Sequence, residues 1–87
     1  MSGASVQEFP SDFPIKVMGR QDSDLRALTQ TIIERHAGPL AESSVRTRTS
    51  ADGNFLALTY LVRATSCEQL DAIYRELTAC KSVLMAL

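Results

Sequence analysis

The chain has no tryptophan, one histidine (His36), two cysteines (Cys67 and Cys80), and no long apolar run. Each shortage excludes something. A bilayer-spanning helix needs about 20 consecutive apolar residues, and none is present. One histidine and two distant cysteines supply no cluster at metal-ligand spacing, so no metal is expected. Four glycines and three prolines are too few for a collagen-like or low-complexity chain. There is no charge excess either: nine Lys/Arg against ten Asp/Glu leave a net charge of -1, which gives no general attraction to phosphate backbones. The segment Met1–Glu8 has neither a basic stretch nor an apolar one, so it does not read as a secretory signal. If Cys67 and Cys80 share one helix they stand roughly 20 Å apart, and a disulfide requires Cα atoms within about 7 Å. Two thiols that cannot pair suit a reducing cytoplasm, the expected location.

What is present is an ordinary globular composition, 45% apolar over 87 residues. A chain of this size buries only about 60–65% of its unfolded surface. It has room for one small core and little for an internal cofactor cavity, so no cofactor is expected.

Residues 1–12 are small and polar without periodicity and are expected to form a flexible arm. Residues 13–87 then form a single domain. Phe13–Gly19 alternates as a strand, with Ile15 and Val17 on one side and Lys16 and Met18 on the other. A helix follows up to Ala37, with Asp22 or Ser23 as N-cap, Leu25, Leu28, Ile32 and Ile33 as its apolar stripe, and Gly38-Pro39 as its stop. Glu42–Ser50 reads as a polar strand, Asp52-Gly53-Asn54 as a hairpin turn, and Phe55–Ala64 as the strongest strand. Ser66 with Gln69 fits a capping box for a second helix, and Thr65 with Glu68 offers the same chemistry one residue earlier. Leu70, Ile73, Tyr74 and Leu77 form that helix's stripe, and Lys81–Leu87 is a short apolar strand.

The order βαββαβ, with two one-sided helices, predicts an α+β ferredoxin-like sandwich: a four-stranded antiparallel sheet of order 4-1-3-2 with both helices on one face. The expected core is Ile15, Val17, Leu25, Leu28, Ile32, Val45, Leu58, Tyr60, Val62, Leu70, Ile73, Leu77, Val83 and Met85. The uncovered face then collects Lys16, Met18, Arg46, Arg48, Leu61, Arg63 and Leu84, beside Ala57, Thr59 and Ala86, while most helical acids fall in the other layer. Basic and apolar residues side by side on an uncovered sheet point to a contact surface for a second subunit, a protein partner or a small anionic ligand. The last strand carries no charge from Ser82 to Leu87, and an edge without charge or proline invites pairing with another chain, so a homodimer through the open face or this edge is expected.

Other chemistries find little support. The segment Gly19-Arg20-Gln21-Asp22-Ser23 could hold an anion at a helix N-terminus beside Arg20, in the place where acylphosphatases of this fold bind phosphate. It lacks their second glycine, and the second strand lacks their asparagine. RNA-recognition domains stack bases on aromatics of the open face, where this chain offers at most Phe55. His36, in a last helical turn, suits the helix dipole, and Cys67 is a first-turn residue without an evident base.

The run Phe9-Pro10 through Phe13-Pro14-Ile15-Lys16-Val17-Met18-Gly19 resembles the opening of the YbeD family, small bacterial proteins of unassigned function. Arg35-His36-Ala37, Gly53-Asn54-Phe55, Glu68-Gln69-Leu70 and Val83-Leu84-Met85-Ala86-Leu87 are similar to it too. The resemblance implies a fold close to ACT-type regulatory domains, a non-catalytic regulatory or interaction role, and a link to lipoate metabolism. By the same resemblance, Gly19, Arg20, Gln21 and Asp22 match the positions where ACT-type domains take small ligands.

Overall fold

A computed structural model describes residues 10–21 and 24–87. Seven elements follow in order: strand β1 (Ser11–Arg20), helix α1 (Leu25–Ala37), a 3-10 turn (Glu42–Ser44), strands β2 (Val45–Thr49) and β3 (Phe55–Ala64), helix α2 (Cys67–Ala79) and strand β4 (Val83–Ala86). The strands form one sheet of order β2-β3-β1-β4, every neighbouring pair antiparallel. This is the expected ferredoxin-like order, read from the opposite edge.

β1 starts at Ser11, two residues before the position expected from alternation, because the ten-residue β3 offers Ala64 and Arg63 as partners for Ser11 and Asp12. The rest of the expected arm, residues 1–9, lies outside the described residues. Pro14 is tolerated inside β1 for a geometric reason. Lys16 N–H and C=O both bond Leu87, so the even-numbered residues of β1 aim their polar backbone groups toward the β4 side. At Pro14 the paired stretch of β4 has ended, and the missing N–H costs no ladder bond.

Both helices lay their buried residues on the face that carries Ile15, Val17, Leu58, Tyr60 and Val62. α2 behaves as its stripe predicts: Leu70, Ile73 and Leu77 are buried. Its cap is a variant of the expected box. Ser66 Oγ accepts from Gln69 N–H, and Gln69 Oε1 reaches back to Thr65 N–H, one residue further than the usual pattern. α1 differs more. The N-cap position is Asp24, whose side chain makes no capping bond. The expected caps Asp22 and Ser23 lie outside the described residues. The helix ends at Gly38, which takes φ 83° and donates its N–H to Glu34 C=O.

The buried stripe of α1 is Leu25, Thr29 and Ile33, and Leu28, expected in the core, is 43% exposed. The cause is Tyr60. Its ring is fully buried in the middle of β3, so its hydroxyl needs a partner. Thr29 Oγ1 lies 2.7 Å from Tyr60 Oη and itself donates to Leu25 C=O at 2.7 Å. Turning Thr29 inward to meet the phenol turns Leu28 out.

A second correction concerns β4. Simple alternation buries Met85 and exposes Ala86. The β1–β4 register shifts between Met18 and Gly19, where Met18 pairs with Met85 but Gly19 pairs with Val83. One extra residue, Leu84, is accommodated there, and parity reverses beyond it. Ala86 therefore pairs with core-facing Val17 and packs on the core, while Met85 is 50% exposed opposite Met18.

The two helices are tied at one end by charge. Glu76 on α2 accepts from Arg35 Nη1 and bonds His36 Nε2, and Gln69 Nε2 donates to His36 C=O. The His36 hydrogen bond, helped by the Arg35 charge, holds the Glu76 carboxyl below the usual glutamate range, although burial opposes it more strongly than the Arg35 charge supports it. A carboxylate whose pKa is lowered by folding stabilises the fold above its unfolded pKa and loses that contribution as pH falls through its folded value. Acidification from about pH 6 to about pH 3 should therefore lower the urea midpoint of the native chain more than that of Glu76→Gln. Parallel acid limbs for the two proteins would contradict this.

Candidate functional site

The face of the sheet turned away from the helices carries the candidate site, and strand register fixes its layout. Reading across β2, β3, β1 and β4, one row is Arg48, Ala57, Met18 and Met85, and the next is Arg46, Thr59, Lys16 and Leu87. Long side chains thus stand on both sides of two short ones. The result is a trough of about 750 Å³ floored by Ala57 and Thr59. Arg46 and Arg48 form one wall; Lys16, Met18, Met85 and Leu87 form the other. The row Phe55–Arg20 closes one end, and the row Leu61–Pro14 continues the face at the other.

The charges differ in how they are held. On the helix layer Arg26 pairs with Glu42 at 2.9 Å, and Arg35 pairs with Glu76. On the open face Arg63 lies 3.4 Å from Asp12. Lys16, Arg46 and Arg48 form no ion pair among the described residues. The Arg63–Asp12 row is two rows from Lys16, roughly 13 Å along the strand, which exceeds the screening length of about 8 Å at physiological salt. Asp12 therefore does not neutralise the cations of the trough.

Of the residues singled out from sequence, Lys16, Met18, Arg46 and Arg48 come together in the trough. Leu61 and Arg63 share the face but stand beyond it along β3. Leu84 is exposed at the register shift and does not line the trough. Met85 and Leu87 take the place expected for Leu84; only the register shift, which alternation does not encode, puts them there.

The second candidate, Gly19 to Asp22, does not form a continuous loop. Gly19 and Arg20 are the last residues of β1, Gly19 is buried, and Gln21 N–H bonds Asn54 C=O. A small depression there is lined by Arg20, Gln21, Gly53 and Asn54. Gly19 serves packing, since a Cβ on it would stand 2.8 Å from Leu25 Cδ1 and collide with the Ser82 carbonyl oxygen. Asp22 lies outside the described residues.

The hairpin turn beside this depression is built by one carboxylate. Asp52 Oδ1 accepts from Ser50 Oγ–H at 2.6 Å and from Asn54 N–H at 3.0 Å, and these bonds hold its pKa below the usual aspartate range. Gly53 alone takes positive φ there, 77°. Cys67 and Cys80 are free thiols. Among the described residues no group of three or more His, Cys, Asp or Glu side chains is placed to hold a metal ion, and no helix is long and apolar enough to cross a membrane.

Residues 4–87 match a protein family described as a protein of unknown function, DUF493. A UPF0250 protein of Ralstonia nicotianae is 47% identical, covering 86% of this chain and 77% of its own. One from Bordetella pertussis is 50% identical over 84% of this chain and 80% of its own, and one from Chromobacterium violaceum 44% over 92% and 90%. These relatives bear out the resemblance to YbeD proteins, which are the UPF0250 family. Among solved structures, the C-terminal domain of the MgtC protein from Mycobacterium tuberculosis superposes with a TM-score of 0.59 at 16% identity, over 94% of this chain and 89% of that one. At that identity the likeness speaks for the fold alone.

Proposed function

The chain belongs to the DUF493 family of proteins of unknown function, and from that premise we propose a non-catalytic interaction module that works through the open face of its sheet. The observation that carries this reading is the set of cations without an ion pair among the described residues, Lys16, Arg46 and Arg48, gathered with Met18, Met85 and Leu87 around a short-side-chain floor. Uncovered antiparallel sheet faces are usually polar and evenly mixed. Here one wall is cationic and the other largely apolar, which suits recognition of a second surface more than solvation. The topology also underlies ACT-type regulatory domains, which supports reading partner binding as regulation of that partner. A partner in lipoate metabolism is what the YbeD resemblance implies.

The test is capture of cellular partners by the native chain and by a Lys16→Glu/Leu61→Asp variant, both confirmed folded by circular dichroism. Loss of specific partners from the variant is the expected result. Retention of every partner would remove the open face as the working surface.

A further inference from the structure

We infer that the open face docks an acidic amphipathic helix of a partner protein, laid along the trough floored by Ala57 and Thr59. This rests on the reading of that face as the working surface, and it names the occupant.

The argument begins with backbone hydrogen bonding. The ladder bonds that join β2, β3, β1 and β4 lie in the plane of the sheet, so the face presents side chains only. An extended peptide placed on the face would find no backbone partners for its own N–H and C=O groups. A helix satisfies these groups internally and needs only side-chain contacts. The fold already uses this solution on its other face, where α1 and α2 cover the sheet; a partner helix would add a third layer.

The dimensions agree. The face runs from the Phe55–Arg20 row to the Leu61–Pro14 row, about 20 Å at roughly 3.3 Å per strand residue. That is the length of about 13 helical residues. Short side chains in the centre let a helix approach closely, and taller side chains on both sides restrain its direction.

Charge sets the chemistry. Arg46 and Arg48 line one long wall, and Met18, Met85 and Leu87 stand on the other together with Lys16. A helix with a carboxylate stripe beside an apolar stripe meets both walls at once. The same charges disfavour a second copy laid face to face, since a two-fold axis would bring together Lys16, Arg46 and Arg48 of both copies, six cations with no ion pair among the described residues. RNA fits less well because the centre of the face, where bases would stack, holds Ala57 and Thr59, and Phe55 lies at the end.

The experiment is amide chemical-shift titration of the full chain with a synthetic helical peptide of about 14 residues, carrying Leu along one stripe and Glu along the next. The comparison ligands are the same peptide with Gln for Glu, an oligo-dT strand, and inorganic phosphate. The expected result is perturbation centred on Lys16, Met18, Ala57 and Thr59. The Gln peptide should bind at least about 10-fold more weakly, as should the Glu peptide to Arg46→Glu/Arg48→Glu. Thr59→Arg, which fills the floor without touching the core, should weaken binding comparably, and Arg75→Glu on α2 should leave it unchanged.

Equal binding of the Gln and Glu peptides would overturn the inference, as would perturbation confined to the helix layer. Tighter binding of oligo-dT, abolished by the same substitutions, would assign the face to nucleic acid instead. Phosphate matching the peptide would reduce the site to a small-anion site, and self-association lost in Thr59→Arg would assign it to a second copy. If the Glu peptide fails to bind while partner capture still depends on Lys16 and Leu61, the occupant is wrong and the interaction reading stands. If capture is indifferent to both residues, the interaction reading itself falls.

Discussion

Replacing Tyr60 by Ala should destabilise the domain by about 3–5 kcal/mol, whereas Tyr60→Phe should cost only about 1 kcal/mol. Tyr60 is the largest fully buried side chain and sits at the centre of the sheet, opposite Ile15 on β1 and Val45 on β2. Truncation to Ala removes the ring and leaves a void in a core that a domain of this size cannot easily refill. The hydroxyl contributes separately. Thr29 donates to Leu25 C=O, so the phenol can donate to Thr29 Oγ1 at 2.7 Å, with Arg26 C=O a longer alternative at 3.3 Å. Burial pushes the Tyr60 pKa up, which the Thr29 contact partly offsets, so the phenol is neutral at neutral pH. Tyr60→Phe keeps the ring and leaves the Thr29 hydroxyl its bond to Leu25. Urea unfolding of Tyr60→Ala, Tyr60→Phe, Thr29→Val and the Tyr60→Phe/Thr29→Val double variant measures both parts. A loss in Tyr60→Phe as large as in Tyr60→Ala would mean that the hydroxyl, and not ring packing, dominates. Strict additivity of the Phe and Val changes would mean that the Thr29–Tyr60 contact carries no coupling energy.

The same contact marks the limit of what hydrophobic periodicity can say about α1. Leu25, Leu28 and Ile32 form a plausible stripe, and propensity gives no reason to prefer a threonine over a leucine inside. The decisive fact is a long-range one: a tyrosine on a buried β3 position requires a hydroxyl partner from the layer above. That requirement was legible in principle, since Tyr60 falls on the core side of a clear strand and Thr29 follows Leu25 by one helical turn. α2 carried no such competing demand, so its stripe and its Ser66 cap read correctly. On β1, β2 and β3 alternation placed Lys16, Met18, Arg46 and Arg48 on the open face, and strict register kept them together. On β4 it failed for Met85 and Ala86, because one extra residue beside Gly19 reverses the parity and no local composition announces it. The cationic wall of the trough was therefore visible in the sequence, and two of the three apolar residues opposite it, Met85 and Leu87, were not.

That reversal depends on Gly19, and Gly19→Ala should destabilise the domain by roughly 2–3 kcal/mol. Gly19 has no positive φ to satisfy; its role is space. It points into the core at the end of β1, where the first residues of β4 and the first turn of α1 converge. An added methyl would meet the Ser82 carbonyl oxygen, which belongs to the backbone, as well as Leu25 Cδ1 at 2.8 Å and Cδ2 at 3.0 Å. Leu25 is fully buried and has little room to give, so relief must come from moving β4 outward. Moving β4 lengthens the Gly19–Val83 pairing and shifts Met85 and Leu87, which wall the trough. The expected signature is thus double: a lower urea midpoint, and faster amide exchange along β4, which meets Gly19 directly, than along β2, which β3 separates from it. The depressed midpoint should be accompanied by weaker binding of the acidic helical peptide, although Gly19 itself does not line the trough. A midpoint equal to that of the native chain would show that Leu25 and β4 yield at no cost. Exchange that rises equally in β2 and β4 would show that the substitution loosens the whole sheet and that Gly19 does not specifically seat its last strand.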